Sequence, residues 1–162
     1  MNNTALIFFD TEFTELGVDP RLISIGLVSE DGKQSFYAEL SDTYNKTDCS
    51  DFAEEFVLPL LQGGEVLMPM KVLGERLNHW LASFGRPIQL VTDSLAWDWP
   101  WIIEIFESVN TWPENLDRTP FILEQSIQLT NAIELARGRG LRKHHALDDA
   151  KANRLGYLAF QD

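Results

Sequence analysis

The sequence has little cysteine, few basic residues and no long apolar run, and each shortage excludes a class of protein. Cys49 is the single cysteine, so an intrachain disulfide is excluded and a reducing, cytoplasmic location is expected. No apolar run approaches the roughly 18 residues of a membrane span. No charged-then-apolar leader opens the chain, so we expect neither membrane insertion nor secretion.

Basic residues are scarce overall but concentrated near the end of the chain. The net charge of −12 argues, for the chain as a whole, against nucleic-acid binding, because neutralising phosphates requires Lys and Arg. Six of the 13 basic residues nevertheless lie in the last 26 positions: Arg137, Arg139, Arg142, Lys143, Lys151 and Arg154. Part of the acidic excess is also expected to bind metal, since a bound cation offsets its charge.

Length and pattern predict a single α/β domain over residues 1–162, with 44% apolar residues to form its core. Three strands are predicted first, at 5–9 with the acids that follow, 21–29 and 34–40. Helices and strands then alternate: helix 51–61, helix 70–84, strand 87–92, helix 99–109, strand 121–123, helix 125–136 and helix 146–160. We therefore expect a mixed sheet of about five strands, the first three antiparallel, flanked by helices.

The first strand leads directly into two acids, Asp10 and Glu12. Side chains alternate along a strand, so both carboxylates project from the same face. Their mutual repulsion and desolvation are removed by a cation between them, and oxygen ligands suit Mg²⁺ or Mn²⁺. The alternative is that both acids extend from the strand end into water.

Two further segments place acids at the start of helices. His144 precedes Asp148 and Asp149, which lie in the first turn of the last helix, and Asp98 follows Trp97 just before the predicted helix 99–109. Acids at a helix N-terminus are stabilised by its dipole, so simple capping explains each segment taken alone.

Taken in order, these three segments resemble the DEDDh 3′→5′ exonucleases, the DnaQ-like branch of the ribonuclease H-like fold. The matching features are Asp-x-Glu on the first strand, an aromatic–Asp pair at mid-chain and His-x-Ala-Leu-x-Asp near the end. The resemblance implies that Asp10, Glu12, Asp98 and Asp149 bind two divalent cations. It also implies that His144 is the general base that takes a proton from the attacking water.

The resemblance further implies which residues contact the substrate. Thr14 and Leu16, shortly after Asp-x-Glu, would contact the terminal nucleotide, with Leu16 wedged beside its base. Phe13, which departs from the family pattern, is a further candidate for contact with the substrate. Trp97 is a candidate for base stacking, and Arg142, in the basic run before the histidines, for the substrate backbone. Core packing of the tryptophan and solvation of the basic run are the alternatives.

The sequence departs from the family pattern at two places. Glu15 replaces a glycine after Asp-x-Glu, so the loop there is expected to follow a different path. Asp93-Ser94 stands where relatives often have His-Asn, which makes Asp93 a rival to Asp98 as the fourth carboxylate.

The leading interpretation is a stand-alone exonuclease that acts on RNA from the 3′ end and releases nucleoside 5′-monophosphates. The chain ends 13 residues after Asp149, which leaves no expected segment for docking on a polymerase. Ribonuclease T, oligoribonuclease and the small mycobacterial-type exoribonucleases are similar in build, and this similarity favours a homodimer. A DNA-directed exonuclease and a non-catalytic nucleic-acid or nucleotide-binding module remain alternatives.

Overall fold

A mixed β-sheet flanked by helices forms the α/β architecture of the chain, which a computed structural model describes over residues 3–161. Within those residues, six strands and four α-helices occur in the following order. They are β1 (Ala5–Phe13), β2 (Leu22–Ser29), β3 (Ser35–Leu40), β4 (Leu67–Met68), α1 (Met70–Ala82), β5 (Ile88–Thr92), α2 (Leu95–Ser108), β6 (Phe121–Ile122), α3 (Ile127–Arg137) and α4 (Ala146–Leu158).

The sheet has the strand order β4-β3-β2-β1-β5-β6. β1, β2 and β3 pair antiparallel, as predicted, whereas β5 lies parallel to β1 and β6 parallel to β5. The prediction of about five strands is wrong, since the described residues contain a sixth, β4, which pairs parallel with β3. β4 is only two residues long, too short to leave an alternating pattern in the sequence.

Both faces of the sheet are buried against helices. Ile7 and Phe9 of β1 point to the side covered by α1 and α2, whereas Phe8 points to the side covered by α3 and α4. All three side chains are fully buried, and each contributes roughly 1.5–3 kcal/mol through removal from water. A strand buried on both sides reads as a continuous apolar run, which is why residues 5–9 show no alternation.

The predicted helix at 51–61 is instead an irregular segment. Two α-helical residues, Asp51 and Phe52, lead into a π-helical stretch at Ala53–Val57 and a 3₁₀ turn at Leu58–Leu60. Ser50, rather than the expected Asp51, begins the segment, because its Oγ accepts the N–H of Ala53 at 3.2 Å. The segment is helical, as the sequence predicts, but hydrophobic periodicity does not distinguish 3₁₀ and π-helical turns from an α-helix.

The mid-chain helix begins earlier than expected. α2 starts at Leu95, four residues before the predicted start, so Pro100 lies inside the helix and not in its first turn. Ser94 is extended and ends the preceding loop. Asp98 is therefore a residue of the first helical turn, not a cap.

Among the helices within residues 3–161, none combines the length and the apolar character that crossing a membrane requires.

Candidate metal centre

Five carboxylates from three separate segments converge on one open cleft of about 260 Å³. They belong to Asp10, Glu12, Asp93, Asp98 and Asp149. We call this site the acidic cleft. His144 lines it as well, so every residue that was predicted to bind metal or to act as the base lies there. The predicted rivals Asp93 and Asp98 both line it, and their position alone does not separate them.

A glycine on β2 lets the last helix approach the strand that carries Asp10. Gly26 pairs with Asp10 across the sheet, and the start of α4 lies directly against it. A Cβ at position 26 would lie 2.3 Å from the Cα of Leu147, closer than any side chain tolerates. The bare backbone at Gly26 thus allows Asp149, two residues further along α4, to reach the acidic cleft.

Asp98 is held rigidly by two threonines. The Thr11 hydroxyl donates to its Oδ1 at 2.6 Å, and the Thr92 hydroxyl donates to its Oδ2 at 2.9 Å. The side chain is buried, with 3% of its residue surface exposed. Asp93, which follows β5 directly, is partly exposed and interacts with Asn153 of α4. Both acids thus lie near Asp10, but hydrogen bonds fix the Asp98 side chain, whereas the Asp93 side chain is partly exposed.

The segment before α4 orients Asp149 and His144. His144 has a left-handed backbone with φ of 68°, and its N–H donates to Asp149 Oδ2 at 3.0 Å. The other oxygen, Oδ1, accepts from Nη2 of Arg137 at 2.9 Å. His144 precedes the helix, as predicted, and its backbone N–H, not its imidazole, makes the contact with Asp149.

Carboxylates in the acidic cleft destabilise one another's charged forms. Burial raises the pKa of Asp10 well above its usual range, and the charges of Asp98, Glu12, Asp149 and Asp93 raise it further. Burial and the neighbouring Asp149 raise the pKa of Glu12 to about 9. Burial raises the pKa of Asp98 to about 7, although the Thr11 hydroxyl opposes the shift. Because these carboxylates lie next to one another, a bound cation would reduce the repulsion between their negative charges.

Two groups within the acidic cleft have the donor composition and spacing of a metal site. One contains Asp10, Asp93 and Asp98, and the other contains Glu12, His144 and Asp149. In each group the possible ligand atoms lie within 4.8 Å of one another. Carboxylate oxygens suit hard divalent cations such as Mg²⁺ and Mn²⁺, and the imidazole is compatible with Mn²⁺. The residues therefore fit a divalent cation.

Three of the predicted substrate-contacting side chains line the acidic cleft. Phe13 and Trp97 stack on each other with ring centroids 5.8 Å apart, and 41% of Trp97 is exposed. Leu16 is 70% exposed and also lines the cleft. This apolar border offers a flat ring and an aliphatic side chain next to the carboxylates, a surface on which a base can stack.

The other two predicted substrate contacts do not line the acidic cleft. Thr14 is fully buried, and its hydroxyl accepts the N–H of Arg21 at 2.9 Å, so it fixes the loop after β1. Arg142 directs its Nε to Asp148 Oδ2 at 2.8 Å. Both groups already have partners within the fold, which the sequence pattern does not reveal.

Sequence reasoning did not identify three residues around the site. Phe52 and Phe56 pack on the His144 ring, with centroid distances of 4.9 and 6.0 Å. Their separation of four residues in a predicted helix was a usable signal for a shared face. Asn153 lines the acidic cleft, and its position four residues after Asp149 on α4 was a signal of the same kind.

Comparison of the sequence with known protein families finds no match, and comparison with curated proteins finds no significant similarity.

Proposed function

We propose that this protein is a two-metal-ion 3′→5′ exonuclease of the DnaQ-like, ribonuclease H-like type. The proposal rests on one observation, the convergence of five carboxylates and His144 from the chain segments at 10–12, 93–98 and 144–149 on the acidic cleft. The mixed sheet supports it as well, because its first three strands are antiparallel and parallel strands follow, as the resemblance implies.

In this proposal, Asp10, Glu12, Asp149 and Asp98 or Asp93 hold two divalent cations, Mg²⁺ or Mn²⁺. When bound, such ions lower the pKa of an attacking water and neutralise charge on the attacking and leaving oxygens.

His144 is the proposed general base. Burial lowers the pKa of its imidazole, although the Asp149 charge opposes the shift, so the neutral, proton-accepting form predominates at neutral pH. The edge contact with Phe52 limits the positions that the ring can adopt. Phe13 and Trp97 offer a stacking surface for the terminal base.

RNA is the favoured substrate, by analogy with the stand-alone members of the family. A homodimer is expected on the same analogy, and light scattering of the purified protein measures it directly. A DNA-directed exonuclease and a non-catalytic binding module are the competing outcomes of the assay that follows.

The test is digestion of matched RNA and DNA oligonucleotides that carry a label at the 5′ end. With Mn²⁺ or Mg²⁺, we expect a ladder that shortens from the 3′ end, release of nucleoside 5′-monophosphates, and complete inhibition by a chelator. Faster cleavage of RNA than of DNA supports the substrate assignment. Equal or faster cleavage of DNA overturns it and favours the DNA-directed enzyme.

A pair of carboxylate-to-amide variants separates the site from a contaminating nuclease. Asp10→Asn removes a cleft carboxylate and is expected to abolish digestion. Glu75→Gln, an exposed acid on α1, makes the same chemical change outside the cleft and is expected to leave digestion unchanged. If the wild-type protein binds labelled oligonucleotides but digests none, the non-catalytic module is the correct interpretation.

A further inference from the structure

Arg137 lines the acidic cleft, and the proposed mechanism gives it no role. It ends α3, and it is the one Lys or Arg among the described residues that line the cleft. Its Nη2 donates to Asp149 Oδ1 at 2.9 Å, and its Nη1 pairs with Glu134, one helical turn earlier. The guanidinium therefore joins a proposed metal ligand to an exposed carboxylate outside the cleft.

The position of Arg137 conflicts with a cation at Asp149. Both Asp149 oxygens already accept hydrogen bonds, Oδ1 from Arg137 and Oδ2 from the His144 N–H. A carboxylate has further lone pairs, so a hydrogen bond alone does not block coordination. A fixed positive charge in contact with the same oxygen, however, repels a divalent cation that approaches it.

The charge balance of the acidic cleft indicates what the Arg137 guanidinium contributes once two divalent cations are bound. The five cleft carboxylates carry five negative charges when ionised, and two divalent cations supply four positive charges. One negative charge remains, and it would repel a phosphodiester. Arg137 supplies the missing positive charge. Its planar fork matches a phosphate oxygen pair, and its Nε is buried without a hydrogen-bond partner in the described part of the chain.

We propose that Arg137 is an exchangeable counter-ion, which neutralises Asp149 until a divalent cation binds and then turns to the substrate phosphate. Glu134 keeps the guanidinium at the border of the cleft during this exchange, because its ion pair with Nη1 does not involve Asp149. The inference rests on the proposed function, and it assigns the residue that recognises the phosphate beside the cations.

The first test measures Mn²⁺ binding by calorimetry in the absence of nucleic acid. Arg137→Met removes the competing charge, so we expect it to tighten Mn²⁺ binding about five-fold or more, the usual size of coupling between competing ligands. Arg139→Met removes the same charge from an exposed position two residues away and is expected to leave Mn²⁺ affinity unchanged. Weaker or unchanged Mn²⁺ binding by Arg137→Met overturns the proposal and makes Arg137 a fixed support of Asp149.

The second test separates substrate binding from turnover at saturating Mn²⁺. Arg137→Met is expected to raise KM for a short 3′-ended oligonucleotide by about ten-fold, the effect of losing a charge-assisted hydrogen bond of about 1.4 kcal/mol. An unchanged KM overturns the assignment to phosphate. Arg137→Lys keeps the charge and is the variant to use if Arg137→Met does not fold. It is expected to keep wild-type Mn²⁺ affinity but not wild-type KM, and the reverse pattern contradicts the proposal.

Failure of this inference and failure of the proposed function are distinguishable. If the wild-type protein binds no Mn²⁺ and digests no oligonucleotide, the proposed function is wrong and the counter-ion role is wrong with it. If wild-type binding and digestion are intact and only the Arg137→Met results differ from those expected, the counter-ion role alone is wrong.

Discussion

Glu39 and Asp10 are carboxylates of the same sheet, but they are surrounded by groups of opposite kind. Glu39 on β3 has 1% of its surface exposed and accepts three hydrogen bonds. The Tyr37 hydroxyl donates to it at 2.6 Å, and the N–H groups of Gln62 and Gly63 donate at 2.7 and 2.8 Å. Asp10 on β1 instead faces the acids of the acidic cleft.

This difference separates a structural carboxylate from a candidate ligand. Glu39 is stabilised by donors that the fold itself provides, so its charge ties the loop at 62–63 to β3 without any cation. Asp10 has acidic neighbours that raise its pKa, and its ionised form needs positive charge from outside the chain. Burial alone therefore does not indicate a metal site, whereas burial among other carboxylates makes a side chain a candidate ligand.

The largest expected effect comes from Asp10→Asn. Loss of a ligand of the proposed cations should lower digestion on the order of 10³-fold or more, since metal assistance contributes several kcal/mol to the barrier. The same change removes one repelling charge, so thermal denaturation should show the metal-free variant to be more stable than the wild type. Mn²⁺ should raise the melting temperature of the wild type more than that of the variant. A variant that is less stable without metal would place Asp10 with Glu39 as a structural carboxylate.

Glu39→Gln is the matching carboxylate-to-amide substitution at the structural carboxylate. Its amide nitrogen would face a backbone N–H in place of an acceptor, so the free energy of unfolding should fall by about 3 kcal/mol in urea titration. Stabilisation by Mn²⁺ should be the same as in the wild type, because Glu39 lies outside the acidic cleft. Loss of that stabilisation would show that the two carboxylate groups are coupled.

His144→Ala tests whether the imidazole belongs to the metal ligands or acts beside them. We expect turnover to fall on the order of 10²-fold, the lower range for loss of a general base. Calorimetry should show Mn²⁺ affinity near that of the wild type. A large loss of affinity would instead make His144 a ligand together with Glu12 and Asp149, the other members of its group.

A comparison of Asp98→Asn with Asp93→Asn tests which of the two residues is the fourth metal-binding carboxylate. Two threonine hydroxyls hold both oxygens of Asp98, so its position is fixed before a cation arrives, whereas Asp93 is partly exposed. A ligand held in advance contributes more to binding. We expect Asp98→Asn to lower digestion about ten-fold more than Asp93→Asn, an effect near 1.4 kcal/mol. The opposite ranking would assign the role to Asp93.

The α/β class and the antiparallel start of the sheet follow from local signals in the sequence, namely apolar runs and helical periodicity. The meeting of the acids at one site was implied only by the family resemblance, because local signals explain each acid equally well as a helix cap or a strand end. The sequence did not reveal β4 or the π-helical stretch at Ala53–Val57, because neither is long enough to impose a period. The predicted start of α2 is wrong because Pro100, a residue that favours the first turn of a helix, lies inside this one.

Contacts between distant segments were beyond the reach of sequence reasoning. Nothing in the sequence around Glu39 indicates that the N–H groups of Gln62 and Gly63 reach it. Gly26 reads as an ordinary strand residue until α4 is seen against it. The sequence predicts that Thr14 and Arg142 contact the substrate, but it does not show that each side chain already has a hydrogen-bond partner within the fold.

The smallest expected effect is that of Tyr37→Phe, which removes one of the three donors to Glu39. Burial raises the pKa of the Tyr37 phenol, and its hydrogen bond to Glu39 raises it further, so the hydroxyl stays protonated and donates at neutral pH. Because the two backbone donors remain, the free energy of unfolding should fall by only about 1 kcal/mol in urea titration. Tyr44→Phe, the same change at a second partly buried tyrosine, is the control and should cost less. If Tyr37→Phe instead destabilises the protein as much as Glu39→Gln, the phenol contributes most of the stabilisation of Glu39 and the backbone donors contribute little.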